Sequence, residues 1–364
     1  MKASPNMLFV SMTNQANGAE SVLLMAAVAS ASPILFLKKA DNAGLDIPKD
    51  QIAKILSKKS MMLGALRLPF LLRHTFPTVI ITTHPLLNAY IGFLKKMGLV
   101  KGQVVVRECT NVFSRYTGLK RFCYKVFYRI GYPSVDLVVC QTQEMRDVFL
   151  KNVHIIEPKR VMVLDNPINI EQVIQHSEIQ INDTDITDKN YICAAGRLIP
   201  EKGFNVLIKA FSDIEKEYPQ LKLLIFGQGP ESGTLNKLIH LYGLEHKIIL
   251  KGWSPNVLAY FKHACVCVVS SVKEGFPNVL LQMMTLNNRV VSTVCAGGIE
   301  DIPGILKAKT NDAGSLATQL RVALSRNYSN KRHPRVNYLK NRSPSGFTKA
   351  IIRSLNDISI SNNK

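Results

Sequence analysis

Short β-rich runs alternate along this chain with longer amphipathic stretches, and that alternation leaves few folds open. Strand candidates in the first half are 6–12 (NMLFVSM), 78–84 (TVIITTH), 103–109 (QVVVREC) and 135–141 (VDLVVCQ). In the second half they are 190–196 (NYICAAG), 221–227 (LKLLIFG), 247–253 (KIILKGW), 264–270 (ACVCVVS) and 288–294 (NRVVSTV). Between them, stretches such as 203–218 and 231–242 carry apolar residues at spacings of three and four, the period of a helix with one buried face. The pattern predicts α/β architecture with parallel sheets. A chain of 364 residues exceeds what one core usually supports, so two domains are expected.

The polar stretch 172–190 breaks the alternation and follows LDNPIN, whose Asn166-Pro167 favours a turn. The expected layout is an N-terminal domain over 1–168, a linker over 169–189 and a C-terminal domain over 190–345. Residues 346–364 read as a final helix and tail, with packing back onto the N-terminal domain as one option. Two similar doubly wound domains would take ligand in the cleft between them, at the carboxyl ends of the strands.

Hydrophobic residues make up 46% and charged residues 20%, a globular balance. The net charge of +20 implies an acidic partner, and the excess is +12 over 1–165 against +8 over 166–364. Nucleic acid is set aside because no recognition helix, RNP-like strand or basic tail is present. Anionic lipid and phosphorylated substrates remain. Seven cysteines, an odd number without CxxC pairs or zinc-ligand spacing, read as reduced core residues, with Cys265 and Cys267 alternating along a buried strand. That usage points to the cytoplasm. No stretch reaches the roughly 18 to 20 apolar residues of a membrane span, and the start does not read as a signal peptide.

Residues 119–132 (LKRFCYKVFYRIGY) read as a helix with a stripe of Arg121, Lys125 and Arg129 beside Tyr124, Phe127 and Tyr128. Two readings stand: a surface for anionic lipid, or a core-packing helix with a solvated basic edge. The segment 61–76, apolar with Arg67, Arg73 and His74, has the same ambiguity.

Two segments carry candidate chemistry. CAAGRLIPEKGF begins as a strand, turns at Gly196 and resumes as a helix near Gly203, and Arg197 and Lys202 flank the turn. Paired cations at such a mouth suit a diphosphate, Arg as a fork and Lys as a point charge. VVSSVKEGFPNVLLQMM ends a strand at Ser270-Ser271, loops through Glu274 and Gly275, and opens a helix at Pro277. Amides at a helix start bind phosphate or sugar oxygens, and the Glu274 carboxylate can accept from sugar hydroxyls.

GRLIPEKGFNVLIKAF, LIFGQGPE, KIILKGW and KEGFPNVLLQMM occur in this order and spacing, and together they resemble glycosyltransferase family 4 over most of 190–305. The resemblance implies the GT-B fold: two Rossmann-like domains with parallel sheets facing each other across a cleft. It also implies a retaining, metal-independent transferase that needs no cofactor and uses a nucleotide-sugar as co-substrate. By resemblance, Arg197 and Lys202 bind the donor diphosphate and Glu274 holds the sugar, with Gly275, Phe276 and Asn278 nearby. The family's second glutamate, a ribose contact, is here Gln282, which keeps one acceptor oxygen and loses the charge.

Gly227 and Gly229 form a GxGP turn rather than the GxGxxG of dinucleotide binders. The resemblance puts them on the nucleotide side, with Lys251, Gly252 and Trp253, and puts Gly297 and Gly298 near the donor phosphates. For Trp253, packing is the alternative to base stacking. In the N-terminal half, Gly18 matches the glycine-rich loop after the first strand, and His84, Arg107, Glu108 and Asn111 stand at strand ends as acceptor-side groups. Glu108 is the preferred contact, and a partly buried His bonded to backbone is the alternative for His84.

The expected reaction is attack of an acceptor hydroxyl on the face from which the nucleoside diphosphate leaves, the departing phosphate taking the proton. A UDP-sugar and a hexosyl or N-acetylhexosaminyl transfer are expected. The basic N-terminal half and the aromatic basic helix point to an anionic membrane surface. The resemblance, to a family whose members often build bacterial surface polysaccharides on a polyprenyl diphosphate lipid, implies a polyprenyl-diphosphate-linked saccharide acceptor. The protein would then sit peripherally at the inner face of the cytoplasmic membrane, building O-antigen, capsule or exopolysaccharide. The rival reading is a weakened or inactive transferase-like scaffold, motivated by Gln282.

Overall fold

A computed structural model of the chain describes residues 6–41, 44–181, 190–325 and 332–362. The chain divides into two compact units, Met1–Ile168 with Arg342–Lys364, and Asn169–Asn341.

The first unit is built on seven strands: β1 (Met7–Thr13), β2 (Ile34–Lys38), β3 (Ala53–Ser57), β4 (Val79–Thr83), β5 (Gln103–Arg107), β6 (Leu137–Cys140) and β7 (Val161–Val163). Their order in the sheet is β3-β2-β1-β4-β5-β6-β7, and every pairing is parallel. The second unit has β8 (Tyr191–Ala195), β9 (Lys222–Phe226), β10 (Ile248–Gly252), β11 (Val266–Val269), β12 (Val290–Thr293) and β13 (Leu306–Ala308). These run in the order β10-β9-β8-β11-β12-β13, again all parallel. Both units are therefore Rossmann-like sheets. In each, the strand order reverses next to the first strand, between β1 and β4 and between β8 and β11. The carboxyl end of such a switch point is where sheets of this kind bind ligands.

Burial on both faces explains the continuous apolar runs of the central strands. On one face of the first sheet, Val10, Ile80, Val104 and Val106 pack with residues of the helices Met61–Thr75 and Pro85–Lys96. On the other, Phe9, Phe36, Ile81 and Val139 pack with the helix Gly18–Ala29. The final helix, Pro344–Asn362, lies against Gly18–Ala29 and adds Phe347, Ile351 and Leu355, four residues apart, to that same cluster. Each such side chain contributes roughly 2 kcal/mol of burial.

The stretch read as a linker over 169–189 is corrected in part: Ile170–Ser177 is a helix, capped by Asn169 Oδ1 accepting from the Gln172 amide at 3.1 Å. It packs on the helices Val257–His263 and Asn278–Leu286 of the second unit. Residues 182–189 lie outside the described residues.

The helix Gly118–Gly131 covers the segment read at 119–132 and packs on Pro85–Lys96, with Tyr128 and Gly131 buried. Its other side leaves Leu119, Phe122 and Phe127 exposed, and Met61–Thr75 likewise exposes Met62, Leu66 and Phe70. Among the described residues no helix is long and apolar enough to cross a membrane. Cys140, Cys193, Cys267 and Cys295 are buried, but Cys123 is exposed and Cys109 and Cys265 are partly so, which corrects the reading of all seven as core residues.

Candidate functional site

In the second unit, the loops after β8 and β11 meet. Gly196 and Arg197 follow β8, and the single turn Pro200–Lys202 then leads into the helix Phe204–Ser212. Gly203, at the join, has φ +61°, and a Cβ there would come within 2.2 Å of the Ser270 carbonyl oxygen. That close approach brings the two loops together. Ser270 Oγ donates to the Lys202 carbonyl at 2.9 Å, and the Val272 amide donates to the Glu201 carbonyl at 2.8 Å.

Lys202 Nζ donates to Glu274 Oε1, and Ser271 Oγ donates to the same oxygen at 2.7 Å. The Lys202 stem lies across Gly196, where a Cβ would stand 3.2 Å from its methylenes. The Glu274 amide donates to the Cys295 carbonyl at 2.8 Å, and Thr293 Oγ1 to the Ser271 carbonyl at 2.5 Å, which ties this loop to β12 and to the turn holding Gly297 and Gly298. Both ends of the ion pair keep some exposure, 16% for Lys202 and 18% for Glu274. Arg197 is exposed, and its side chain makes no hydrogen bond or ion pair among the described residues. Two cations and a carboxylate thus stand at the switch point, able to meet an anion and a polyol together.

The glycine turn after β9 is packed against this loop. Gly227 has φ +136°, and a Cβ on it would fall 1.8 Å from the Gly196 carbonyl oxygen. Gly229 would collide with the Leu198 carbonyl in the same way. The backbones are joined by Gly196 N–H to Phe226 O and Leu198 N–H to Gln228 O, each 2.9 Å, and by Gly227 N–H to Gly252 O at 2.7 Å. These glycines hold loops together, an internal duty that the sequence reading did not give them. Lys251 and Gly252 end β10, and Trp253 follows, 50% exposed. Gly275, Phe276 and Pro277 lead into the helix Asn278–Leu286, with Phe276 and Pro277 buried. Gln282 sits one turn into that helix, half-buried.

The corresponding place in the first unit is built differently. Gly18 opens the helix after β1 and is exposed. His84 follows β4 with φ +79°, and its Nε2 lies 2.9 Å from Glu20 Oε1 while its Nδ1 lies 3.9 Å from Cys109 Sγ. Its partners are side chains rather than backbone. Burial favours the neutral ring, but the neighbouring Cys109 sulfur and the Glu20 carboxylate outweigh it and raise His84 to about 10.

The acceptor-side expectation for Glu108 is corrected. Glu108 is buried and accepts from Tyr128 Oη at 2.6 Å, from Tyr132 Oη and from Asn88 Nδ2 at 3.2 Å. Burial raises its pKa, and these donors work against the rise. Its oxygens are engaged inside the fold. Arg107 is also interior, 1% exposed, and donates from Nη2 to Asn166 Oδ1 at 2.6 Å. Burial lowers its pKa to about 10. Asn111 caps the short helix Val112–Arg115, its Oδ1 accepting from the Ser114 amide at 3.3 Å.

The sequence reading missed Ser271, Glu20 and Cys109. Ser271 stands three residues before Glu274 in a strand-end loop, a spacing that could have flagged it. Glu20 and Cys109 join His84 only through the order of β1, β4 and β5.

Residues 176–342 match the family described as glycosyl transferases group 1. The chain is 30% identical over 305 residues to the N-acetylgalactosamine-N,N'-diacetylbacillosaminyl-diphospho-undecaprenol 4-alpha-N-acetylgalactosaminyltransferase of Campylobacter jejuni, covering 79% of this chain and 80% of that one. It is also 30% identical over 191 residues to an uncharacterized glycosyltransferase of Methanocaldococcus jannaschii, where the match spans 51% of this chain and 46% of the relative's length. Among solved structures, Anabaena HepE in complex with UDP and glucose superposes with a TM-score of 0.75 at 13% identity, over 97% of this chain and 100% of that one. The lipopolysaccharide outer core galactosyltransferase WaaB superposes at 0.65 with 16% identity, over 98% and 99%. At such identities the structural likeness speaks for the fold, and the sequence match for the family. This chain belongs to the group 1 glycosyltransferases and has the GT-B fold.

Proposed function

We propose that the protein is a retaining, metal-independent hexosyl- or N-acetylhexosaminyltransferase, moving a sugar from a UDP-sugar to a polyprenyl-diphosphate-linked saccharide. The observation that carries this reading is the Lys202–Glu274 ion pair at the switch point of the second sheet, with Arg197 exposed beside it. Lys202 offsets the charge of Glu274, so a carboxylate that accepts from sugar hydroxyls can stand next to a diphosphate without repelling it. Arg197 and Lys202 stabilise the charge that grows on the departing nucleoside diphosphate, and a phosphate oxygen takes the acceptor's proton. No cofactor enters this scheme. Amides of Gly275 and Asn278 and the loop at Gly297 and Gly298 complete the donor side, with Gln282 as a weakened ribose contact.

The acceptor is supported by the diphospho-undecaprenol in the name of the Campylobacter jejuni relative. Other relatives are named for amylovoran and colanic acid biosynthesis, which favours a surface polysaccharide as the product. An anionic membrane surface is favoured by exposed Leu119 and Phe122 on a helix that also carries Lys120, Arg121 and Lys125. Purified protein offered UDP-, GDP- and TDP-sugars with membrane lipid extract tests the whole reading by product mass. A lipid-linked product from a UDP-sugar is expected, and transfer to soluble acceptors alone would overturn the acceptor. The scaffold reading, motivated by Gln282, predicts no turnover with any donor.

A further inference from the structure

We infer that Cys109 is a nucleophilic thiol, a site of covalent modification by soft electrophiles and by hydroperoxides in particular. Three separate segments build its surroundings. Cys109 lies two residues beyond β5, His84 directly beyond β4, and Glu20 in the first turn of the helix after β1. Because β1, β4 and β5 are neighbours in the sheet, the three side chains converge at its carboxyl edge.

The order of contacts is Cys109 Sγ, His84 Nδ1 at 3.9 Å, then from His84 Nε2 to Glu20 Oε1 at 2.9 Å. Glu20 is 3% exposed and fixes the far nitrogen of the ring, so the near nitrogen faces the sulfur. The two ring nitrogens point to opposite partners, so the trio does not converge on one point as metal ligands would. Arg107 adds a buried positive charge that acts on the sulfur. Glu20 Oε2 and Arg107 Nε and Nη1 are buried with no hydrogen-bond partner among the described residues, so the polar capacity of the cluster is not consumed by the fold.

The charges around Cys109 oppose one another. Burial disfavours the thiolate, His84 and Arg107 favour it, and Glu108 opposes it; the balance holds the thiol below its ordinary range. Cys193 and Cys267 show the alternative, since burial without such partners pushes their thiols up. Cys109 is also partly exposed, whereas those two are buried.

With a hydroperoxide, the sulfur attacks one oxygen, an S–O bond forms and the O–O bond breaks. The leaving oxygen takes the imidazolium proton of His84, the sulfur is oxidised to a sulfenic acid and the peroxide is reduced to an alcohol or water. With iodoacetamide an S–C bond forms and iodide leaves.

Exposed Cys123 is the internal reference for the test. The full chain is treated with iodoacetamide at about pH 6 and about pH 8.5, and both cysteines are followed by peptide mass spectrometry. At the lower pH an ordinary thiol is about 0.3% thiolate, and Cys109 is expected to react at least about tenfold faster than Cys123 there, with a smaller rate gain than Cys123 on going to the higher pH. In His84→Gln that advantage should fall to about threefold or less, and in Glu20→Gln it should fall by a smaller factor. Peroxide followed by dimedone should mark Cys109 ahead of Cys123. Equal labelling of the two cysteines in the unaltered protein overturns the inference, whether or not the variants fold, as does an advantage that survives in a folded His84→Gln. The readout is labelling, so it stands or falls apart from the proposed sugar transfer.

Discussion

Over six strands the two sheets share one order, the first sheet adding a seventh at its edge, and they place their switch points alike, yet they use charge in opposite ways. In the second unit Lys202 and Glu274 keep part of their surface in solvent and Arg197 is exposed, so these charges can be reached from solvent. In the first unit Glu20, Arg107 and Glu108 are buried, and Glu108 is fully engaged by Tyr128, Tyr132 and Asn88. The difference teaches that a shared topology fixes where a site forms and leaves open what the charges there are for. Under the proposed function, solvent-reachable charge serves binding and turnover, while inward charge sets the protonation state of its neighbours.

The contrast breaks most visibly at Lys202. Lys202→Ala should lower transfer about 10²-fold to 10³-fold, as loss of a transition-state donor does, and leave the urea midpoint nearly unchanged. A large stability loss with modest loss of turnover would erase the distinction between the units. Gly227→Ala should do the reverse, costing about 2 kcal/mol of stability, because a Cβ there meets the Gly196 carbonyl at 1.8 Å on a backbone with φ +136°. Urea unfolding of the second unit measures it, and an unchanged midpoint would show that the loops are not held by that contact.

Glu20→Gln sharpens the other side. His84 sits above its ordinary value of about 6.5, at about 10. Its pairing therefore stabilises the first unit fully below pH 6.5 and the contribution is lost as pH rises through about 10. The variant should cost about 1 kcal/mol at neutral pH, progressively less as pH rises towards 10 and almost nothing above it. A resonance assigned to the His84 ring that titrates near 6.5 in the unaltered protein would refute it. The smallest effect is expected for Gln282→Glu, which should tighten nucleotide binding by about threefold to tenfold, read by calorimetry. Weaker binding would mean the pocket is fitted to the amide.

The cluster at the second switch point was legible in the sequence because its parts are local. Arg197 and Lys202 lie within one strand-loop-helix unit, and Glu274 within another whose helix start is marked by Pro277. The duties of Gly227 and Gly229 were not legible, since the opposing carbonyls of Gly196 and Leu198 come from a neighbouring strand. Glu108 and Arg107 were read as strand-end groups facing a ligand, which their positions permit, but Tyr128 and Tyr132 lie twenty or more residues away and turn Glu108 inward. Among the edge strands, β3, β7 and β13 escaped notice for a common reason. Each stands at a sheet edge, two have three residues, and β3 is exposed over its first three residues with Lys54 second, so none shows the apolar run of a central strand.

The return of the chain to the first unit, through Pro344–Asn362, has a consequence for biogenesis. The second unit is interposed within the first, so a ribosome completes the second unit's sequence before it supplies Phe347, Ile351 and Leu355. Until then the face formed by Phe9, Phe36 and Val139 lacks part of its cover, and an apolar sheet face in that state is a target for chaperones. The domain that begins first is finished second.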